Sequence, residues 1–262
     1  ILVTGIGSFD GFGVAGAAYA TIAGWALGTL LAIGFVQSSN IRINPACLTS
    51  AEWGSGVRSL IRVGGPAALS NAINPVGLSI LTALLAKYGQ DEVAGFGAAG
   101  RLQSFAVVPM LGLSSSIGAI VGQNWGAGQT GRARLAVAQS IGFCLVYGLI
   151  IAAILVLARD WLGGFFSEDA DVLDALSRYL LIAAWGFAGY GVLIVVNGAF
   201  NAIDRASIAL SQSAGRVLLI MVPFAWLAAG LLGADAIYAG ELAANVLGGA
   251  GAAALAWYLM RR

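Results

Sequence analysis

Histidine does not occur anywhere in these 262 residues. The chain therefore has no imidazole with which to bind a metal ion, complete a Ser-His-Asp triad or sense pH near neutrality. Cysteine is almost as scarce, since Cys47 and Cys144 are the only two, and their separation fits no metal-binding spacing. The composition therefore predicts neither a metal site nor a structural disulfide.

Charged residues are also few, at 10% of the chain, whereas 59% of the residues are hydrophobic. A soluble domain of this size needs more charge on its surface. The net charge is only +1, so no basic surface indicates a nucleic acid as partner. The composition instead predicts a polytopic membrane protein whose surroundings are the lipid bilayer.

Long apolar runs are the most regular feature of the sequence. A helix needs about 20 apolar residues to cross the hydrocarbon core, and seven runs are long enough. They are Val14 to Val36, Gly64 to Ala86, Val93 to Val121, Ala133 to Ala158, Leu176 to Asn201, Ser207 to Leu232, and Ile237 to Met260. The runs lack the alternation of barrel strands. The predicted fold class is all-α, with about seven transmembrane helices.

The basic residues indicate how these helices are oriented, because Lys and Arg accumulate in cytoplasmic loops. Eight arginines fall in loops on one side, and three basic residues fall on the other. The larger group is Arg42, Arg58, Arg62, Arg132, Arg134, Arg205, Arg261 and Arg262, and the smaller is Lys87, Arg159 and Arg178. We therefore expect a multi-pass protein of the inner (plasma) membrane with a cytoplasmic C-terminus.

Two segments outside the apolar runs carry helix signals. Between the first two spans, Thr49 and Glu52 form a capping-box pattern that is followed by apolar residues at helical spacing. This pattern predicts a helix lying on the cytoplasmic interface, with an ordinary solvated loop helix as the alternative. After the fourth span, Ser167 or Asp169 is the expected N-cap of the next helix.

Polar side chains inside the spans are costly unless they face another helix or a wet cavity. Three sets of them recur at helical spacing. The sets are Asn71 with Asn74, Tyr190 with Asn197 and Asn201, and Tyr238 with Glu241 and Asn245. Hydrogen bonds between helices would explain each asparagine singly, but three such faces together favour one shared cavity.

Arg101 and Glu241 are the most deeply placed opposite charges, each roughly two turns from the external end of its helix. We expect them to lie at similar depth and to pair, directly or through water, if their spans face one cavity. In one alternative, Glu241 binds a cationic cargo or a proton and Arg101 tunes its pKa. In the other, both side chains extend separately to the outer interface.

Four passages of the sequence resemble the MATE multidrug and toxin extrusion transporters. They are GVAGAAYAT (Gly13 to Thr21), GGPAALSNAINPVG (Gly64 to Gly77), AGFGAAGRLQSFAVVPMLGLSSSIGAIVGQNWGAG (Ala94 to Gly128) and FFSEDADVLDALSRYL (Phe165 to Leu180). The third passage is the most specific. The four follow one another in family order and span most of the chain, so the resemblance implies a transporter and not an enzyme.

The resemblance implies twelve helices in two lobes around a central cleft, and export of amphiphilic or cationic compounds in exchange for Na⁺ or H⁺. It implies no cofactor besides the coupling ion. Because the chain begins at Ile1 without Met, we expect a fragment that lacks most of the N-terminal lobe. Residues 1–37 would end that lobe, residues 38–63 would form the cytoplasmic inter-lobe loop, and residues 64–262 would form the six-helix C-terminal lobe.

The sequence departs from the NorM branch of this family at two positions. Asn74 stands where that branch has a Glu and Gly189 where it has an Asp, so both of its cation-binding carboxylates are missing. The chain is more similar to the DinF branch, whose proposed coupling carboxylate lies in the first lobe. The candidate substrate-binding residues are Asn71, Asn74, Arg101, Gln103, Tyr190, Asn197, Asn201, Glu241 and Asn245.

A secondary antiporter that rocks one lobe against the other is the leading functional hypothesis. A lipid-linked substrate flippase is the alternative within the superfamily, and a non-transporting membrane scaffold is the alternative from another class. A flippase should have a broad basic cavity, whereas Arg101 and Arg216 are the only basic residues placed away from the ends of the spans. A scaffold has no need for polar faces that converge on helices kinked at prolines such as Pro75, Pro109 and Pro223.

The distribution of arginines predicts that Gln129 is cytoplasmic and Ser167 external. We expect an impermeant thiol reagent, applied to intact cells, to label a cysteine placed at position 167 but not one placed at position 129. The two variants are compared in a background in which Cys47 and Cys144 are replaced by Ser. The opposite labelling pattern would overturn the predicted orientation.

Overall fold

The computed structural model describes residue 5, residues 11–38 and residues 53–260. The predicted capping box of Thr49 and Glu52 lies outside these ranges, as do Cys47 and the C-terminal arginines. The chain divides into two compact units, Ile1–Gly54 and Ser55–Arg262. The polar clusters described below all lie in the second unit.

The described regular elements are helices. They are α1 (Val14–Ser38), α2 (Trp53–Leu85), α3 (Gln90–Gly126), α4 (Thr130–Leu157), α5 (Arg159–Gly163), α6 (Ala170–Ala183), α7 (Phe187–Ala202), α8 (Ala206–Ala214), α9 (Val222–Leu232) and α10 (Asp235–Leu259). Seven helical stretches of the described residues are long and apolar enough to cross a membrane. A helix satisfies its own backbone hydrogen bonds, as lipid requires. The prediction of an all-α fold with seven membrane-spanning helices is confirmed.

Two of the spans are not single α-helices. A 3₁₀ turn, Ala184–Gly186, joins α6 to α7, and a π-helical segment, Gly215–Met221, joins α8 to α9. Pro223 lies in the first turn of α9, directly after the π-helical segment. Proline has no N–H and its ring crowds the carbonyl one turn earlier, so a wider turn at this place accommodates it. In contrast, α2 and α3 continue as helices through Pro75 and Pro109.

The ends of two helices test the predicted boundaries. The sequence predicted a separate interfacial helix before a span that begins at Gly64, whereas the structure has one helix from Trp53 to Leu85. Gly64 does not end this helix, because a glycine weakens a helix without removing its backbone hydrogen bonds. The N-cap prediction for α6 is confirmed, since Asp169 Oδ1 accepts a hydrogen bond of 2.9 Å from the Asp171 N–H.

α7 is the central helix of the second unit. In its span, Ala170–Ala202, 67% of the most apolar stretch is buried, against 22–28% in the other spans of this unit. α3, α4, α8 and α10 all pack against α7. One cluster of buried apolar residues surrounds Tyr179 and Phe187, and a second surrounds Cys144 and Phe200. Polar side chains on α7 can therefore be shielded from lipid by its neighbours.

Glycines allow α7 and α10 to approach closely. A Cβ added at Gly249 of α10 would lie 2.6 Å from the Gly189 Cα of α7, and one added at Gly189 would lie 2.9 Å from the carbonyl carbon of Asn245. The two backbones meet because neither glycine has a side chain. The α10 backbone thus occupies the space that a side chain at position 189 would need.

Replacing Gly249 by Ala is expected to lower the free energy of unfolding by about 1–3 kcal/mol, because the added methyl group would overlap the α7 backbone. Thermal unfolding in detergent, followed by circular dichroism, measures the effect. Gly251→Ala is the matched control on the same helix, since a Cβ there meets nothing within 4 Å. Equal stabilities of the two variants would contradict the close packing of α7 on α10.

Candidate functional site

A polar cavity of about 240 Å³ lies among α2, α3, α7, α8 and the π-helical segment. The residues that line it are Ser70, Asn71, Ile73, Asn74, Leu111, Ser114, Ser115, Tyr190, Leu193, Ile194, Asn197, Gly198, Asn201, Ser213 and Arg216. None of these lining residues carries a carboxylate. Because polar side chains are costly in membrane helices, their convergence here marks a space for water or a polar ligand.

Two of the three polar faces predicted from the sequence meet at this cavity. Asn71 and Asn74 line it from α2, and Tyr190, Asn197 and Asn201 line it from α7. The third face, Tyr238 with Glu241 and Asn245, does not line the cavity, so the expectation of one space shared by three faces holds for two of them. Their role in substrate binding stays a prediction.

The other polar residues of the lining were not among the predicted binding residues. They are Ser70, Ser114, Ser115, Ser213 and Arg216. A serine in a membrane helix often donates to the carbonyl of its own preceding turn, as Ser115 does to Leu111. The position of a serine in the sequence therefore does not show whether it faces a cavity. Arg216 was recognised in the sequence as a basic residue inside a span, and the cost of a charge in the membrane is the signal that marks it as a candidate for the site.

Arg216 alone among the lining residues carries a charge. It lies on the π-helical segment and is only 3% exposed. Its Nη1 donates to Asn245 Oδ1 on α10, and its Nη2 donates to Asn74 Oδ1 on α2. Its Cζ lies 4.7 Å from the centre of the Tyr190 ring on α7, within cation–π distance. The guanidinium therefore connects three helices through uncharged partners.

Hydrogen bonds fix the serine and asparagine side chains of the cavity wall. Ser70 Oγ of α2 and Ser213 Oγ of α8 are 2.7 Å apart, and Asn197 Nδ2 of α7 donates to the same Ser213 Oγ at 2.9 Å. Ser114 Oγ of α3 donates to the Ile194 carbonyl at 2.9 Å. The Oδ1 atoms of Asn197 and Asn201 are buried and lack a hydrogen-bond partner among the described residues.

Glu241 and Gln103 form a second polar cluster beside the cavity. Glu241 of α10 is 1% exposed, and its Oε1 accepts a hydrogen bond of 2.7 Å from Gln103 Nε2. Its Oε2 accepts a hydrogen bond of 3.1 Å from the Tyr179 hydroxyl of α6. Asn245, one turn further along α10, bonds to Arg216 and so lies between this cluster and the cavity. Glu241, Gln103 and Asn245 do not line the cavity itself.

Arg101 lies outside both of these groups. Its side chain is exposed, and no ion pair joins it to Glu241 in the described part of the chain. The expected direct pairing of Arg101 with Glu241 is therefore wrong. Residues two apart on a helix point in nearly opposite directions, so Gln103 faces the bundle and bonds to Glu241 while Arg101 faces outward.

A separate charged cluster ties α3, α6 and α10 together. Arg178 of α6 pairs with Asp174 at 2.8 Å, with Asp235 of α10 at 2.5 Å, and with Glu92 of α3. The Tyr238 hydroxyl of α10 donates to Glu92 Oε2 at 2.7 Å. Tyr238, which shares a helix face with Glu241, thus belongs to this cluster and not to the cavity.

These features define a multi-pass membrane protein with a polar cavity inside a helical bundle. The family model described as MatE matches residues 66–227. The chain belongs to the MatE family, a family of transporters and not of enzymes, and this confirms the resemblance found in the sequence.

Curated relatives are similar over most of the chain. A protein named FAD transporter from Shewanella oneidensis is 32% identical over 225 residues, which are 86% of this chain and 50% of the relative. A "Probable multidrug resistance protein NorM" from Deinococcus radiodurans is 29% identical over 169 residues, which are 61% of this chain and 37% of the relative. The chain spans about half the length of the curated relatives it matches.

Solved structures share the fold. The Vibrio cholerae MATE transporter VcmN in the bent form superposes with a TM-score of 0.80 at 26% identity, over 94% of this chain and 56% of that one. A MOP superfamily transporter from Pyrococcus furiosus gives a TM-score of 0.86 at 21% identity, over 96% of this chain and 57% of that one. The second likeness concerns the fold alone.

Replacing Tyr179 by Phe is expected to lower the free energy of unfolding by about 1–3 kcal/mol, because the buried Glu241 Oε2 loses a hydrogen-bond donor. Thermal unfolding in detergent measures the change. Tyr147→Phe in α4 is the control, since no hydrogen bond of the Tyr147 hydroxyl is found among the described residues. If Tyr179→Phe is as stable as the control, the hydroxyl does not hold Glu241 in the folded protein.

Proposed function

We propose that this chain forms one lobe of an exporter of small amphiphilic molecules, and that the polar cavity contributes to cargo binding. The observation that carries this proposal is the convergence of polar side chains from several helices on one space in an otherwise apolar bundle. Some of these groups lack a partner, and a buried polar group without a partner costs free energy. A non-transporting scaffold would gain nothing from unpaired polar groups. In a binding cavity, a ligand can form hydrogen bonds with them.

Transport by alternating access requires a second lobe that faces this cavity. We infer that the whole protein contains such a lobe, because the chain spans about half the length of its relatives.

We propose an antiport driven by H⁺ or Na⁺, as the family resemblance implied, in the plasma membrane with a cytoplasmic C-terminus. The fully buried carboxylate of Glu241 is a candidate site for the coupling ion in this lobe.

The names of the relatives include both drug-resistance proteins and an FAD transporter, so similarity does not narrow the cargo to cations. The cavity itself argues against two of the earlier expectations. It has no lining carboxylate to balance a cationic cargo, and its single base, Arg216, does not make the broad basic surface that a flippase would need. We therefore propose small amphiphilic cargo.

Cells that express the whole protein are expected to export at least one of two amphiphilic dyes, cationic ethidium or anionic fluorescein. Asn197→Leu should slow this efflux about fivefold or more, because the cavity loses hydrogen-bonding groups to an apolar side chain. Asn124→Leu is the matched control, since Asn124 does not line the cavity and bonds to Ile120 of its own helix. Efflux is measured with and without a protonophore and with and without Na⁺.

Two outcomes would contradict this proposal. Failure to export either dye, with the protein present in the membrane, would overturn the exporter function. Equal efflux by Asn197→Leu and Asn124→Leu would separate the cavity from transport.

A further inference from the structure

The guanidinium of Arg216 is buried without a carboxylate beside it. Ion pairs within 4.0 Å among the described residues involve Arg62, Arg159 and Arg178, but not Arg216. Its direct partners are the uncharged amide oxygens of Asn74 and Asn245. The positive charge at the cavity is therefore not neutralised by direct contact with an acid of the described chain.

Glu241 acts on Arg216 only from a distance. Its two carboxylate oxygens accept hydrogen bonds from Gln103 and Tyr179, and Asn245 is the residue of α10 that contacts the guanidinium. Glu241 also does not line the cavity, whereas Arg216 does. A ligand in the cavity would therefore meet a cation and would not meet the carboxylate.

The hydrogen-bonding capacity of Arg216 is also unfilled. A guanidinium has five N–H donors, and the two asparagines use one donor on each Nη. The Nε has no partner among the described residues. A buried charge in a membrane protein is favourable only when it is paired or bound to polar groups, so these open donors mark an incomplete site.

We propose that Arg216 binds the negatively charged group of a small amphiphilic ligand, such as a phosphate, sulfonate or carboxylate. That this ligand is the transported cargo rests on the proposed function. Arg216 suits this role because a guanidinium can donate two parallel hydrogen bonds to an oxyanion. Arg216 Cζ lies over the Tyr190 ring, 4.7 Å from its centre, and this contact uses none of the N–H groups of the guanidinium.

Hydrogen-bond acceptors, in contrast to the donors of Arg216, lie further along α7. Asn197 and Asn201 begin about 10 Å beyond Tyr190, at 1.5 Å per helical residue, and their buried Oδ1 atoms have no partner in the described part of the chain. These oxygens can accept hydrogen bonds from hydroxyl or amine groups. The site therefore fits an anion that carries hydrogen-bond donors at some distance from its charge, and Arg216 would repel a cation of the same shape.

Two dyes with the same xanthene frame and opposite charge test the assignment. Fluorescein is an anion near neutral pH and rhodamine 123 is a cation, so their binding to the purified chain in an uncharged detergent can be compared by fluorescence anisotropy. We expect fluorescein to bind more tightly than rhodamine 123. Arg216→Gln should raise the Kd for fluorescein at least about tenfold, which corresponds to the loss of one charge-assisted contact, and should leave rhodamine 123 no weaker.

Arg101→Gln is the matched control. It removes the same formal charge from a membrane helix, but Arg101 is exposed and does not line the cavity. Inorganic phosphate is added as a competitor to distinguish the source of the anion. Displacement of fluorescein by phosphate means that the charged group alone is recognised, and lack of displacement together with the loss in Arg216→Gln means that the amphiphilic frame is needed as well; both results support an anion site.

Because Arg216 connects three helices, Arg216→Gln could lose binding by misfolding. A conservative variant separates these two effects. Arg216→Lys keeps the charge but not the planar fork, and it should bind fluorescein more weakly than the unmodified chain while still preferring it to rhodamine 123. All variants are first compared by melting temperature. An unchanged Kd for fluorescein in folded Arg216→Gln, an equal loss in Arg101→Gln, or no preference for fluorescein in Arg216→Lys would each overturn the proposal. Failure of the efflux assay with this binding intact would instead count against the exporter function.

Discussion

The burial of the Arg216 charge in an apolar bundle is the constraint on which the candidate site depends. A guanidinium that is only 3% exposed needs polar partners, and here each partner comes from a different helix. Asn74 of α2 and Asn245 of α10 accept its hydrogen bonds, and Tyr190 of α7 packs against its face. The buried charge is tolerated only while these helices keep their positions. The polar contacts of Arg216 and the packing of the helices therefore depend on each other.

The packing of α2, α7 and α10 also determines what lies at the two positions where the family resemblance predicted a departure from the NorM branch. Asn74 of α2 accepts a hydrogen bond from Arg216. Gly189 of α7 admits the α10 backbone, with a Cβ at Gly249 only 2.6 Å from the Gly189 Cα. An amide bound to a cation and a close helix contact therefore stand at these two positions.

The polar groups of the second unit differ in how far their hydrogen bonds are satisfied. Arg178 is surrounded by three acids from α3, α6 and α10, and these contacts hold helix ends together. Glu241 is fully buried and its carboxylate is held by Gln103 and Tyr179. The cavity, in contrast, has unfilled donors and acceptors and space beside them. The cavity thus differs from both other clusters in having polar groups without a partner among the described residues.

Much of the fold and part of the site follow from the sequence by itself. Seven long apolar runs require membrane-spanning helices. The spacing of Asn197 and Asn201 with Tyr190 places them on one helix face, and polar residues on such a face are expected to turn away from lipid. Only the tertiary structure decided that Gln103 and not Arg101 meets Glu241, and that Arg216 reaches α2 and α10 from a π-helical segment. Spacing along one helix fixes which side chains share a face, but which faces meet depends on how the helices rotate and pack, and this is set by contacts between residues that are distant in the sequence.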